Sequence, residues 1–206
     1  MYQLSGVLPD TEVDPGTNLL VSGAPMTGKR EIALRLLAAG SERGEGAIVV
    51  TTKDVADRIL DEYTDLVEGE DATVGVVDCV TKQQGVGNVT DDPRIKYASS
   101  PVDMTGIGIQ LSEFLEEFYG TRGLERNRVL LYSLSTLLMY SNLQTVFRFL
   151  HVFTGRIQSA DALGVYVIDS TAHDDQTMNT LKQLFDGVIN VEEGDGGEPD
   201  LSVDGL

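Results

Sequence analysis

The sequence predicts an α/β fold, a three-layer sandwich whose mostly parallel central sheet is covered by helices on both faces. Three observations carry that prediction. Apolar runs of strand length alternate with helical periodicity along most of the chain, as where Ala47-Ile48-Val49-Val50-Thr51-Thr52 precedes a 54–67 segment with Val55, Ile59, Leu60, Tyr63 and Val67 on one face. The runs are near-continuously apolar, as strands buried on both faces require. The run Asn18-Leu19-Leu20-Val21-Ser22 also passes through Gly23-Ala24-Pro25-Met26-Thr27-Gly28-Lys29-Arg30 into a helix-forming segment with apolar Ile32, Ala33, Leu36 and Leu37.

Residues 1–17 hold Pro9, Pro15 and Gly16 among Asp10, Glu12 and Asp14, and read as a polar lead-in ending in a turn. After the first strand, loop and helix come the glycines of 40–46, then strand 47–52 and the 54–67 helix. Ala72 to Val80 reads as a third strand. Residues 81–103, with Gly85, Gly87, Pro93 and Pro101, read as a long loop of the kind that is functional or mobile in a compact domain. Met104 to Tyr119 returns to helix, with Ile107, Leu111, Phe114, Leu115 and Phe118 on one face. A fourth strand at 128–135 leads into one long apolar helix, Thr136 to Arg156. Leu163 to Asp169 is a fifth strand, Gln176 to Leu184 a short helix and Phe185 to Val191 a sixth strand. Residues 1–192 are therefore expected to form a single domain, and 193–206 an acidic tail or a final hairpin arm.

With 206 residues and 41% apolar composition, the chain has room for one substantial core. Its 15 basic and 33 acidic residues leave a net charge of −18, which repels duplex DNA and anionic membranes, so nucleic acid is not an expected partner. The carboxylates are spread along the whole chain, lysines are few and tryptophan is absent, a profile resembling cytosolic proteins of salt-loving archaea. At molar salt the screening length shrinks to about 3 Å, so the charge reads as adaptation to solvent. Cys79 is the single cysteine, which excludes an internal disulfide. No apolar run approaches the ~20 residues of a membrane span, and a cytoplasmic location is expected.

Gly23 to Lys29 satisfies the first seven places of the phosphate-binding loop, in which glycines let backbone N–H groups close round an anion and the lysine reaches its phosphates. The loop residues Gly23, Ala24, Pro25, Met26, Thr27, Gly28, Lys29 and Arg30 are thus the candidate nucleotide contacts. The eighth place departs. A serine or threonine belongs there to ligate magnesium, and a guanidinium cannot do so. Arg30 admits two readings: it reaches the phosphates and supplies charge that magnesium would bring, or it pairs with a carboxylate such as Glu31 or Asp54. In parallel sheets ligands bind beyond the carboxyl ends of strands. That rule directs attention to Thr51, Thr52, Asp78, Tyr132, Ser133 and the 169–171 stretch.

GAPMTGK near the start, RVLLYSLSTLL in the middle and DGVINVE near the end together resemble the RecA-like ATPase core, and within it the KaiC-like family. The resemblance covers residues 1–192, and Arg30 with the acidic composition is similar to a haloarchaeal branch of that superfamily. It implies binding of ATP or ADP, with magnesium left open. It also makes the departures visible. Tyr132 stands where the family places the aspartate of its metal shell, and Thr51, Thr52 and Lys53 stand where glutamates activate water, with Asp54 the nearest acid. Phosphoryl transfer depends on these parts, so weak or absent hydrolysis is the expectation.

Asp169 closes an apolar strand that the RecA-like order places beside the loop strand, and is the candidate replacement for the missing metal ligand and catalytic acid, with Ser133 as a second metal candidate and Asp54 as a second catalytic one. Its alternative is a turn cap. His173 is either a phosphate-sensing residue or a turn histidine, and the two histidines have no metal-binding spacing. Arg122, Arg126 and Arg128 form a local basic cluster, either a solvated turn or an arginine finger. Three functions remain open: a regulatory nucleotide-binding protein with a protein partner or a second copy of itself, a magnesium ATPase using Asp169, and an interaction scaffold with a vestigial loop.

Overall fold

A computed structural model of the chain describes residues 1–67, 72–85, 87–194 and 198–206. Residue 86 of the expected long loop and residues 195–197 of the expected tail lie outside the described residues. The N-terminal stretch is not a plain lead-in. Strands β1 (Tyr2–Gln3) and β2 (Glu12–Val13) pair antiparallel, and Tyr2, Leu4 and Val13 are buried.

The main sheet is built from β3 (Asn18–Gly23), β4 (Gly46–Thr51), β5 (Val74–Asp78), β6 (Ile95–Tyr97), β7 (Asn127–Tyr132), β8 (Leu163–Asp169), β9 (Gly187–Glu192) and β10 (Asp200–Asp204). Its order is β10-β9-β3-β8-β7-β4-β5-β6, and every pairing is parallel except β10 on β9. Successive side chains of a strand feed opposite faces. Leu19, Val21, Ala47 and Val49 enter one core with helices α1 (Lys29–Ala38) and α2 (Ala56–Leu66). Leu20, Ile48 and Val50 enter the other core, with α4 (Met104–Glu116), α5 (Leu134–Tyr140), α6 (Leu143–Ser159) and α7 (Asp175–Lys182). The three-layer α/β prediction is borne out.

Two sequence expectations are corrected. The 81–103 stretch is not all loop: Thr81–Gln84 forms a short helix, α3, and β6 adds a parallel edge strand through Val76↔Ile95 to Asp78↔Tyr97. The helix expected from Thr136 to Arg156 is two helices. Ser141 is extended, and the Asn142 side chain accepts the Thr145 N–H at 2.9 Å, capping the start of α6. α4 also ends in a wider π-helical turn, Glu117–Thr121.

The parallel register brings strand ends together at one edge. Gly23 lies opposite Asp169 and Val191, while Thr51 lies opposite Asp78 and Tyr132. The chain enters the sheet at β3, moves past two strand positions to β4, later fills them with β7 and β8, and ends on the other side of β3. The crevice beyond β3 therefore lies where the winding direction changes, the usual ligand position in open α/β sheets.

Candidate functional site

Backbone geometry explains the two loop glycines. A Cβ on Gly23 would lie 2.3 Å from the Val191 carbonyl oxygen and 2.8 Å from Thr27 Oγ1, because β9 and the loop both press on this position. Gly28 has φ 85°, in the left-handed region that only glycine adopts cheaply. Met26 is also left-handed, with φ 67°, and its side chain is fully exposed. The Thr27 hydroxyl donates to the Ala24 carbonyl at 2.9 Å, holding the turn closed. Helix α1 begins after Gly28 with no side-chain cap, as α2 and α5 also do, whereas α4, α6 and α7 each have a capping side chain. Its first N–H groups are therefore presented to the loop's concavity.

Lys29 is the first residue of α1 and is buried. Its Nζ donates to the Ala24 carbonyl at 2.6 Å and lies 2.8 Å from Asp169 Oδ1. The strand order thus delivers Asp169 beside the loop as expected, with its carboxylate on the loop lysine. The Asp169 backbone N–H donates to Ser135 Oγ at 2.9 Å, and Ser135 Oγ lies 2.8 Å from His173 Nε2. That hydroxyl can donate to an unprotonated Nε2 or accept from a protonated one, so it bonds either form of the ring. Burial lowers the pKa of His173, against the opposing pull of Asp169 and Asp174. His151, by contrast, is exposed on α6.

Arg30 turns from the loop toward α2. It pairs with Asp54 at 3.1 Å and with Glu62 at 2.7 Å, and Arg58 bridges the same two acids at 3.0 and 3.2 Å. Of the two sequence readings of Arg30, the structure shows the pairing with Asp54 and not with Glu31, and adds Glu62 and Arg58, which the four-residue spacing of Asp54, Arg58 and Glu62 brings to one side. Two cations pack over the Tyr132 ring, its centroid 5.5 Å from the Arg30 guanidinium carbon and 5.9 Å from Lys53 Nζ. Burial pushes its phenol pKa up, so it stays neutral. The two threonines are spent on backbone: Thr51 Oγ1 donates to the Asp54 carbonyl, and Thr52 Oγ1 donates to the Ser133 carbonyl while accepting the Ser133 N–H. Asp78 lies farther off and is structural, accepting from the amides of Ala56, Val80 and Thr81 and from the Thr81 hydroxyl.

These residues do not fit a magnesium ion. The eighth loop place is a guanidinium, the strand-end place is a neutral phenol, and Asp169 is engaged by an ammonium. Among the described residues, no group of three or more His, Cys, Asp or Glu is placed to hold a metal. The Arg122–Arg128 cluster is also taken apart. Arg122 pairs with Glu117, Arg126 donates to the Met1 carbonyl, and Arg128 is completely buried against Glu45 at 2.6 Å, which no solvated-turn reading anticipates.

Two cavities flank the loop. One, about 450 Å³, is lined by Pro25, Met26, Gly28, Val167, Tyr132 and Ser133 together with Lys29, Arg30, Lys53 and Arg58, and its one carboxylate is Asp169. The other, about 430 Å³, lies on the β10 side between Ile32, Val7, Pro199 and Leu201, with Glu31, Glu193 and Glu198 at its rim. Among the described residues no helix is long and apolar enough to cross a membrane.

Two solved structures are similar in fold. The KaiC-like protein PH0186 from the hyperthermophilic archaeon Pyrococcus horikoshii OT3 superposes with a TM-score of 0.58 at 14% identity, over 97% of this chain and 82% of that one. The uncharacterized protein PH0321 from Pyrococcus horikoshii, solved in complex with an unknown peptide, superposes with a TM-score of 0.70 at 12% identity, over 94% of both chains. At such identities the likeness is one of fold alone, shared with the KaiC-like protein. No curated protein sequence matches the chain. Residues 16–191, from the turn before β3 through most of β9, match the family of unknown function DUF7504, and the chain belongs to that family.

Proposed function

We propose that this protein is a regulatory nucleotide-binding domain that holds ATP or ADP at Gly23–Lys29 and hydrolyses it slowly or not at all. The observation that carries the reading is a loop built for phosphate next to strand ends stripped of catalytic chemistry. Gly23 and Gly28 are each required by backbone geometry, and α1 points uncapped amides into the turn. Beside them stand Arg30, Tyr132 and Lys53, none of which activates water or ligates a metal. The phosphates would lie against Lys29, and the nucleoside toward the apolar walls of the β10-side cavity, Ile32, Val7, Pro199 and Leu201. Because PH0321 was solved with an unknown peptide, a protein segment is the favoured reader of the occupied state.

The test is thermal unfolding in molar potassium chloride, with and without millimolar ATP or ADP, on the wild type and Lys29→Ala. A ligand at 100 times its Kd adds about 2.7 kcal/mol. For a domain of this size that raises Tm by roughly 5–10 °C. Stabilisation of the wild type alone supports the reading. An unchanged Tm under every condition would leave the loop as a scaffold element. Hydrolysis above background that disappears in Lys29→Ala would overturn the regulatory half of the proposal while keeping the binding half.

A further inference from the structure

Resting on that nucleotide reading, we propose that the site selects the metal-free polyphosphate over its magnesium complex, with Lys53 and Arg58 receiving the terminal phosphate. The cavity beside Lys29 sets four cations against one carboxylate, Asp169, in a protein whose net charge is −18. That concentration of positive charge occupies the ground between the ends of β4, β7 and β8, beyond the loop lysine.

The cations differ in how far they are already neutralised. Arg30 and Arg58 share Asp54 and Glu62. Arg30 Nε is nevertheless buried with no hydrogen-bond acceptor. Lys53, exposed at the mouth, makes no ion pair among the described residues and rests against the Tyr132 ring. Tyr132 adds no charge, and its ring attracts the two cations packed over it. An anion held at Lys29 thus has Lys53, the cation without an ion pair among the described residues, lining the same cavity, with Arg30 and Arg58 beside it.

Free ATP carries two more negative charges than its magnesium complex, and a bound magnesium ion would sit among these cations with the one lining carboxylate, Asp169, already engaged by Lys29. Magnesium therefore opposes binding twice, by lowering the ligand's charge and by adding a like charge to the cavity. The third phosphate is the one that reaches Lys53, so ATP gains more from this cavity than ADP.

Calorimetric titration of ATP and ADP, in chelator and in excess magnesium, tests the proposal on the full chain and on Lys53→Glu, whose exposed position leaves the fold intact. The wild type is expected to bind ATP about tenfold or more tightly in chelator than in magnesium, with a smaller difference for ADP. Lys53→Glu is expected to weaken ATP in chelator by about tenfold while changing ADP less than about threefold. Binding that requires magnesium overturns this inference and leaves the nucleotide reading standing. So does a Lys53→Glu protein whose ATP-to-ADP preference matches the wild type, given an unchanged Tm. Binding of neither nucleotide in either buffer removes both.

Discussion

Asp169→Asn asks whether the loop lysine is withheld from its ligand by the strand beside it. The pair is largely enclosed, with side-chain exposures of 6% for Lys29 and 23% for Asp169 at a separation of 2.8 Å. At that distance and an effective dielectric of about 20 the gross attraction is roughly 6 kcal/mol. Desolvation of the ammonium and ordering of its stem offset most of it. The net value falls near the ~1.5–3 kcal/mol typical of hydrogen bonds to charged groups. Asparagine keeps the size and an accepting oxygen but removes the charge, so about half of the net contribution is lost.

An incoming phosphate competes with the Asp169 carboxylate for Nζ and is repelled by it. Removing the charge therefore strengthens nucleotide binding by about 1.4 kcal/mol, a factor of about ten, while the ligand-free protein loses a similar amount of stability. Calorimetric titration of ATP reads the first effect and urea unfolding of the ligand-free protein the second. Affinity that is unchanged or weaker in Asp169→Asn refutes the reasoning. If Asp169 instead held a metal ion for catalysis, the same substitution would weaken magnesium-dependent binding and abolish turnover, so the two roles predict opposite signs.

Three further outcomes are expected. Gly23→Ala drives a methyl against the Val191 carbonyl and Thr27 Oγ1, costing about 1–3 kcal/mol in chemical unfolding through overpacking and abolishing the nucleotide-induced rise in Tm. Arg128→Ala strands the Glu45 carboxylate in the interior and costs about 3–5 kcal/mol, whereas Arg128→Met combined with Glu45→Leu recovers most of that loss. His173 has a folded pKa below its unfolded value of about 6.5, because burial disfavours its cation. Its contribution to stability is thus complete above that pH and is lost as pH falls through the folded value, so unfolding measured between pH 7 and 5 should show a shallower decline in His173→Gln than in the wild type.

The elements that were legible in the sequence are those whose signal is local and long. β3, β4, β7 and β8 are continuous apolar runs, and their burial on both faces is what continuity means physically. β6 was not legible because Ile95-Lys96-Tyr97 is three residues long inside a polar stretch, and its strand character comes from pairing with β5. β1 and β2 are shorter still, and Tyr2 is buried only because the chain returns across the β7 side, where its hydroxyl meets the Asn127 amide. The break at Ser141 and Asn142 did carry a local signal, an asparagine three residues before a threonine amide. The apolar pattern on either side outweighed it.

The site divides in the same way. The loop is contiguous, so its spacing alone pointed to it, and the position of Asp169 followed from strand order. What no local pattern contains is who meets whom across elements. Ser135 and His173 are brought together because β7 and β8 are neighbours whose ends discharge into adjacent turns. Lys53 was noticed only as a missing glutamate; its place over the Tyr132 ring depends on the Thr51↔Tyr132 register. That register bears on whether the departures around the loop are decay or substitution. A site losing function is free to drift toward any residue that packs. Here a hydroxyl place, an acid place and a base place hold an arginine, an aromatic ring and a lysine, and both cations pack over the ring. If only packing were being kept, neutral side chains would serve as well and would avoid setting two cations beside the loop lysine. Arg30 is met by Asp54 and Glu62, whereas Lys53 makes no ion pair among the described residues, and that unneutralised charge beside the loop lysine is the strongest reason to look for a polyphosphate there.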